Sequence, residues 1–313
     1  MAGACRLVRE YKCQVSSMPV SVHGTAFFIH PSGIAVTCDH VLRYAWCKHN
    51  ECGGESNGKL FSNDKKFFVY QVIGQAPQYD LAFLRIGWNE PVTSIPILEH
   101  EAYVSENAHG MSNLNNKGLF YVRGHLSTVI EMQTEFLAHP KMSVFNMPTD
   151  AGASGGPIIS DRGELIAVVC GRVDNNFALG IPASDILPAI KKVASLEVVF
   201  GLETGIQYET KRLADKTGIY VSKVADNSEA EKGGIVVGDQ VVAIGPWEVN
   251  SAVDFELSAL AWVYKSPKDP MTIKVKKRDG TLADLQIRLA KLLPKPITDP
   301  WASESPTTDT TTP

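Results

Sequence analysis

Thr149-Asp150-Ala151-Gly152-Ala153-Ser154-Gly155-Gly156-Pro157 is the most specific stretch of the 313-residue chain, and it leads straight into the apolar pair Ile158-Ile159. A serine crowded by glycines lets the backbone turn sharply. The hydroxyl is then exposed, and neighbouring N–H groups are free to face a developing oxyanion. Such a hydroxyl is a weak nucleophile until a base takes its proton, so the position of the base along the chain decides the fold.

Two orders compete. Gly152, Ser154 and Gly156 satisfy the G-x-S-x-G turn of α/β-hydrolases, in which the acid and the histidine follow the serine. The last of the eight histidines here is His139, upstream of Ser154, so that reading lacks its base. The order His, Asp, Ser can be filled. His40 closes Ile34-Ala-Val-Thr-Cys-Asp-His40, a β-run that ends in a polar step, and Asp80 stands at the mouth of the apolar run Leu81-Ala-Phe-Leu-Arg-Ile86. Asp80 follows His40 by 40 residues and Ser154 follows Asp80 by 74, distances that suit two successive barrels with His and Asp in the first and Ser in the second.

The rest of the first 190 or so residues fits that plan. Short β-runs recur at Thr25–Ile29, Ile34–Thr37, Phe67–Ile73, Leu81–Ile86, Pro157–Ile159 and Leu165–Cys170 without intervening helices, the pattern of a sandwich or barrel. Pro182–Val193 is the first good helix candidate, with Ser184 or Asp185 able to cap it. A second strand-rich block from Val199 to Leu292 has its own helix signal, Ser251 followed three positions on by Asp254 and then by Phe255, Leu257, Leu260 and Ala261. From Pro294 to Pro313 there are five prolines and six threonines with little to bury, which predicts a disordered tail.

Composition narrows the function classes. Thirty basic and 34 acidic residues leave a net charge of −4, against a nucleic-acid-binding surface, and 44% hydrophobic content is enough for ordinary cores. No apolar run reaches the roughly 18 residues of a membrane-spanning helix, and charge interrupts the opening segment before a signal-peptide core forms, so the chain reads as cytoplasmic. The six cysteines are not spaced as a disulfide framework and read as mostly reduced. Cys47 and Cys52 flank His49, but a structural zinc site usually wants four ligands, so a loop with free thiols is the leading reading, followed by a local disulfide and then by metal.

With these residues in hand, the first block resembles the chymotrypsin-fold serine proteases of the HtrA/DegP family. Gly24–Ile29, Pro31-Ser-Gly33, Thr37-Cys-Asp-His-Val41, Asp80–Leu84, the serine segment, Gly163–Val168 and Phe177–Pro182 carry the similarity over about residues 20 to 195. It implies a mostly β protein: a two-barrel protease domain over residues 1–198, a PDZ domain over 199–292, built as a partly open β-barrel with two helices, and a tail over 293–313. It also implies that Ser154 attacks the scissile carbonyl, His40 serves as general base and then acid, Asp80 orients the imidazole, and the N–H groups of Gly152 and Ser154 form the oxyanion hole. Two positions depart from the family pattern: Ala153 stands where Asn is usual, and Asp39 precedes the histidine where a neutral residue is common.

Thr217–Val224, Asn227–Ile235 and Val237–Ile244 resemble the strand, short helix and strand of the PDZ module attached to these proteases, with Gly238-Asp239 where the family has such a pair. Such modules take an extended peptide beside the groove and hold its C-terminal carboxylate on backbone N–H groups. The receiving loop would lie near Gly205-Ile206, or alternatively Gly201-Leu202, and Ile206 and Leu260 would shape the pocket for the last side chain. The function implied is an ATP-independent serine endopeptidase for unfolded or exposed protein segments. Protein substrates and C-terminal peptides would be its partners, a homotrimer is a candidate assembly, and no metal or organic cofactor is called for. The alternative is a proteolytically silent PDZ adaptor or chaperone on a protease scaffold.

Overall fold

The computed structural model describes residues 3–12, 19–42, 57–62, 67–87, 90–98, 101–131, 141–174, 176–193, 205–213, 216–265 and 269–288. The Cys47–Cys52 segment, Gly201, Leu202 and the tail lie outside them. Two compact units are present, the first ending at Ala189 and the second beginning at Ile190.

The first unit is two closed six-stranded barrels. The first barrel comprises β1 (Ala4–Lys12), β2 (Pro19–His30), β3 (Ile34–Cys38), β4 (Asn57–Phe61), β5 (Phe67–Ala76) and β6 (Leu81–Ile86), in the order β1-β2-β3-β6-β5-β4. A one-turn helix, α1 (Asp39–Leu42), follows β3. The second barrel comprises β7 (Asn107–Asn113), β8 (Leu119–Ile130), β9 (Met142–Asn146), β10 (Pro157–Ile159), β11 (Leu165–Asp174) and β12 (Phe177–Pro182), in the order β10-β11-β12-β9-β8-β7. The mostly β, two-barrel expectation is met.

Closure explains how so many short strands hold together. An open edge would leave a row of unpaired N–H and C=O groups, and a barrel removes it. Leu7, Phe27, Ile34, Leu60, Leu81, Phe83 and Leu84 of the first barrel's strands are all buried, and Leu126, Phe145, Ile158, Ile166 and Val169 belong to one buried cluster in the second. Each such side chain contributes roughly 1.5–3 kcal/mol relative to exposure. The strand from Ile34 stops at Cys38, two residues before His40, because the chain turns into α1 there. The candidate helix from Pro182 divides likewise: Ala183–Asp185 form a 3₁₀ turn without a side-chain cap, and α2 (Ile186–Val193) begins after it.

The second unit is a sheet of β13 (Ile206–Leu213), β14 (Lys216–Val224), β15 (Gln240–Ile244), β16 (Trp247–Glu248), β17 (Met271–Lys276) and β18 (Leu282–Ile287), in the order β13-β14-β15-β17-β18, with β16 paired to β15. Its two helices, α3 (Glu229–Lys232) and α4 (Ala252–Lys265), both start at capping boxes. Ser228 Oγ accepts from the Glu231 amide while Glu231 accepts from the Asn227 amide at 2.6 Å. Ser251 Oγ accepts from the Asp254 amide at 2.9 Å and Asp254 from the Asn250 amide at 3.1 Å. The Gly238-Asp239 pair builds a turn, which is why the following strand starts at Gln240 rather than Val237. Buried Asp239 accepts from the Val236 amide at 3.0 Å and from Lys277 Nζ at 2.7 Å.

One buried group in the first barrel is out of keeping with its surroundings. The Tyr70 hydroxyl on β5 has no hydrogen-bond partner among the described residues, and burial pushes its pKa up to about 12 against the opposing charge of Arg9. A phenol whose folded pKa lies above its unfolded value of about 10 costs stability as pH rises from about 10 towards 12, because the unfolded chain releases its proton first. Tyr70→Phe should therefore be neutral or stabilising by about 1 kcal/mol at neutral pH. In urea titrations its advantage over the parent should widen above about pH 10; a loss of more than about 2 kcal/mol at neutral pH would show that the hydroxyl is satisfied.

Candidate active site

The β3–β6 register brings His40 and Asp80 together. The two strands run antiparallel with Cys38 opposite Leu81, so the residues just after one and just before the other must meet. Asp80 closes the 3₁₀ turn Pro77–Tyr79 in the left-handed region, at φ 51°. Its main-chain oxygen accepts from the Asp39 amide at 2.9 Å, Oδ1 accepts from the His40 amide at 2.9 Å, and Oδ2 lies 2.6 Å from His40 Nδ1. A carboxylate there favours the hydrogen on Nδ1 and leaves the lone pair of the neutral ring on Nε2. Asp39, the departure beside the histidine, is fully buried and accepts from Gln75 Nε2 on β5 at 2.8 Å.

Ser154 sits on a loop between β9 and β10 that needs two glycines. Gly152 and Gly155 have φ of 89° and 85°, and a Cβ would drive Gly152 into the carbonyl oxygen of Asn113 and Gly155 into that of Thr25. The loop closes on itself through Ala153 N–H to Asp150 O at 3.0 Å and Gly156 N–H to Ala153 O at 2.9 Å. Thr25 of β2 then fixes it from the first barrel: its hydroxyl donates to Gly152 O at 2.9 Å, and its amide donates to Ser154 O at 2.9 Å. The same hydroxyl accepts from the Asn113 amide at 2.9 Å. The amides of Gly152 and Ser154 donate to no group among the described residues, and this pair is available to an anionic oxygen.

His40, Ala151, Gly152, Ser154 and Cys170 line one cavity of about 790 Å³, together with His23 at its side. Asp80, bonded to His40, is not among the lining residues. A hydrogen bond from a nucleophile to its base is often long before substrate binds. The arrangement supplies a hydroxyl, an imidazole oriented by a carboxylate, and two open amides on one concave wall, the parts required for acyl transfer.

Cys38 Sγ, His40 and Asp80 form a group of three donors whose ligand atoms lie within 4.8 Å of one another. His40 Nδ1 is engaged with Asp80, Cys38 donates its S–H to Val169 O at 3.1 Å, and burial, with Asp80 adding to it, pushes the thiol pKa well up.

In the second unit the three groove candidates are placed as follows. Gly205, at φ 77°, precedes β13 and accepts from the Ala225 amide at 2.8 Å; Ile206 is buried opposite Val224; Leu260 is buried on α4. Between β13 and α4, Tyr208 donates its hydroxyl to Glu256 at 2.5 Å and packs on Phe255. Sequence reasoning missed Thr25, Asn113 and His23. A threonine at a fully buried strand position was the available signal for the first, since a buried hydroxyl needs partners.

Comparison with known proteins shows what the chain is similar to. Residues 24–168 match the family described as trypsin-like peptidase domain. A probable periplasmic DegP-like serine endoprotease of Rickettsia prowazekii is 25% identical over 251 residues, 74% of this chain and 47% of its own length. Periplasmic DegP of Salmonella typhimurium is 24% identical over 70% of this chain and 49% of its own, and mitochondrial HTRA2 of Bos taurus is 23% identical over 84% and 58%. The chain thus spans about half the length of the curated relatives it matches. Among solved structures, the HtrA-type protease AlgW with a decapeptide is 16% identical, covering 94% of this chain and 96% of that one at a TM-score of 0.51. The Rv3671c protease of M. tuberculosis in its active form covers 61% and 81%, with 18% identity and the same TM-score.

The cytoplasmic expectation is corrected by these relatives, two of which are named periplasmic and one mitochondrial. The opening residues used for that reading form β1, paired with β2 and β4, so their charges belong to a barrel strand. With its paired barrels and these relatives, the chain resembles the HtrA/DegP serine proteases, and the match to the trypsin-like peptidase domain spans residues 24–168.

Proposed function

We propose that this protein is an ATP-independent serine endopeptidase that cleaves unfolded or exposed segments of other proteins. The observation that carries the reading is the His40–Asp80 pair at 2.6 Å, with His40 and Ser154 on one cavity wall beside the unengaged amide of Gly152. His40 Nε2 takes the Ser154 proton as the hydroxyl attacks the scissile carbonyl, and Asp80 stabilises the imidazolium that forms. The amides of Gly152 and Ser154 receive the negative oxygen, a contribution of roughly 10²–10³ in turnover for one donor. His40 then passes its proton to the leaving amine, and a water repeats the sequence in reverse to release the acyl group.

The second unit serves in this reading as a PDZ-type peptide receiver. Its support is topological: among the described residues β13 stands at the end of the strand order β13-β14-β15-β17-β18, where a further strand could be added, with α4 on the same unit carrying Leu260. A substrate or regulator would present its C-terminus near Gly205 and Ile206.

Wild-type protein should react with a fluorophosphonate probe and degrade a denatured protein substrate without ATP. Ser154→Ala and His40→Ala should each lower turnover by roughly 10⁵-fold or more. A wild-type protein that neither labels nor cleaves, yet still binds peptides, would replace the protease by the adaptor reading. For the second unit, fluorescence anisotropy should show a free-carboxylate peptide binding at least about tenfold more tightly than its C-terminal amide; equal affinities would remove carboxylate capture.

A further inference from the structure

The Gly152 amide belongs to the same peptide unit as the Ala151 carbonyl, and a trans peptide points these two groups in opposite directions. Whatever holds the Ala151 oxygen therefore aims the Gly152 N–H. The holder is Asn115, in the turn after β7: its backbone amide donates to Ala151 O at 2.7 Å. Asn115 has φ 49°, a conformation asparagine tolerates better than most residues. Its side chain reaches the loop a second time, Nδ2 donating to Asp150 Oδ2 at 2.6 Å.

Asp150 in turn joins three parts of the second barrel. Oδ1 accepts from Arg172 near the end of β11 at 2.9 Å and from the Ala151 amide at 2.7 Å, while Oδ2 accepts from Asn115. Asn115 first, then the Ala151 amide and Arg172, hold this carboxyl below the usual carboxylate range, so it stays ionised. On the other side of the loop Thr25 fixes the next peptide unit by donating to Gly152 O. Ala153 between them brings no polar side chain to the loop.

We propose that Asn115 and Asp150 are positioning residues that set the peptide plane between Ala151 and Gly152, and with it the direction of the Gly152 N–H. The proposal rests on reading Gly152 and Ser154 as the oxyanion donors. The carboxylate is the latch: it draws the Asn115 turn, the β11 end and the serine loop to one point. Without it, the Asn115 backbone bond to Ala151 O loses its side-chain support and the Ala151–Gly152 peptide is held less firmly, while Ser154, His40 and Asp80 keep their own bonds.

Three variants in the full-length protein test this: Asp150→Ala, Asp150→Asn and Asn115→Gly, the last keeping the left-handed backbone while removing the side chain. Steady-state cleavage of an unfolded substrate should show kcat falling by roughly 10²-fold in Asp150→Ala with KM within about threefold. Asp150→Asn, which keeps the shape and one acceptor, should recover about tenfold of that loss. Hydrogen exchange of peptides spanning residues 148–156 should quicken in Asp150→Ala and Asn115→Gly, with melting temperatures close to the parent. An unchanged kcat, or a raised KM with kcat intact, would overturn the assignment. Should the parent itself prove inactive, the protease reading fails, and exchange alone decides: faster exchange in folded Asp150→Ala upholds the latch, and unchanged exchange overturns it.

Discussion

The hydroxyl of Thr25 is the point on which the site depends. It sits in β2 of the first barrel, fully buried, and handles two main-chain groups of the second: it accepts from Asn113 and donates to Gly152. Its own amide and carbonyl are also committed, to Ser154 O and to the Thr37 hydroxyl. A buried polar group left unpaired costs about 1–3 kcal/mol, so all four partners are held to one geometry. Ser154 comes from the second barrel and His40 from the first, and their shared cavity persists because the serine loop is bonded to β2 of the first barrel.

Much of this was legible in the residue order. Runs such as Ile34–Thr37 and Leu81–Ile86 lie in strands buried on both faces, so they show as continuous apolar stretches. The strands that went unread are those with little apolar run to show. β7 is Asn-Ala-His-Gly-Met-Ser-Asn, and β8 is largely exposed along its twelve residues, with Arg123, Gly124 and His125 in its middle. β1 carries Arg6, Arg9 and Glu10. These segments become strands because closing a barrel gives their backbone groups partners, a benefit no local window of sequence contains.

The site divides the same way. His40, Asp80 and Ser154 stand out because each has a distinctive neighbourhood, and the β3–β6 register makes the first two meet. Thr25, Asn113 and Asn115 carry no such mark. The bond from Asn113 to Thr25 crosses 88 positions of chain, and that from Asn115 to Asp150 crosses 35, so their roles exist only through space. In the second unit the capping serine Ser251 was legible because a cap is a local bond between residues three apart.

The two sulfurs beside the site add a property that the hydroxyl chemistry alone does not. Cys38 and Cys170 flank the Val169 strand position, and burial pushes both thiols far above their ordinary range, with the Asp80 charge adding to it. Oxidants and electrophiles attack the thiolate. These thiols are almost wholly protonated near neutral pH, so they are slow to enter that chemistry even though Cys170 borders the cavity. On the proposed reading, the Ser154 hydroxyl therefore lies beside sulfur that is slow to enter thiolate chemistry.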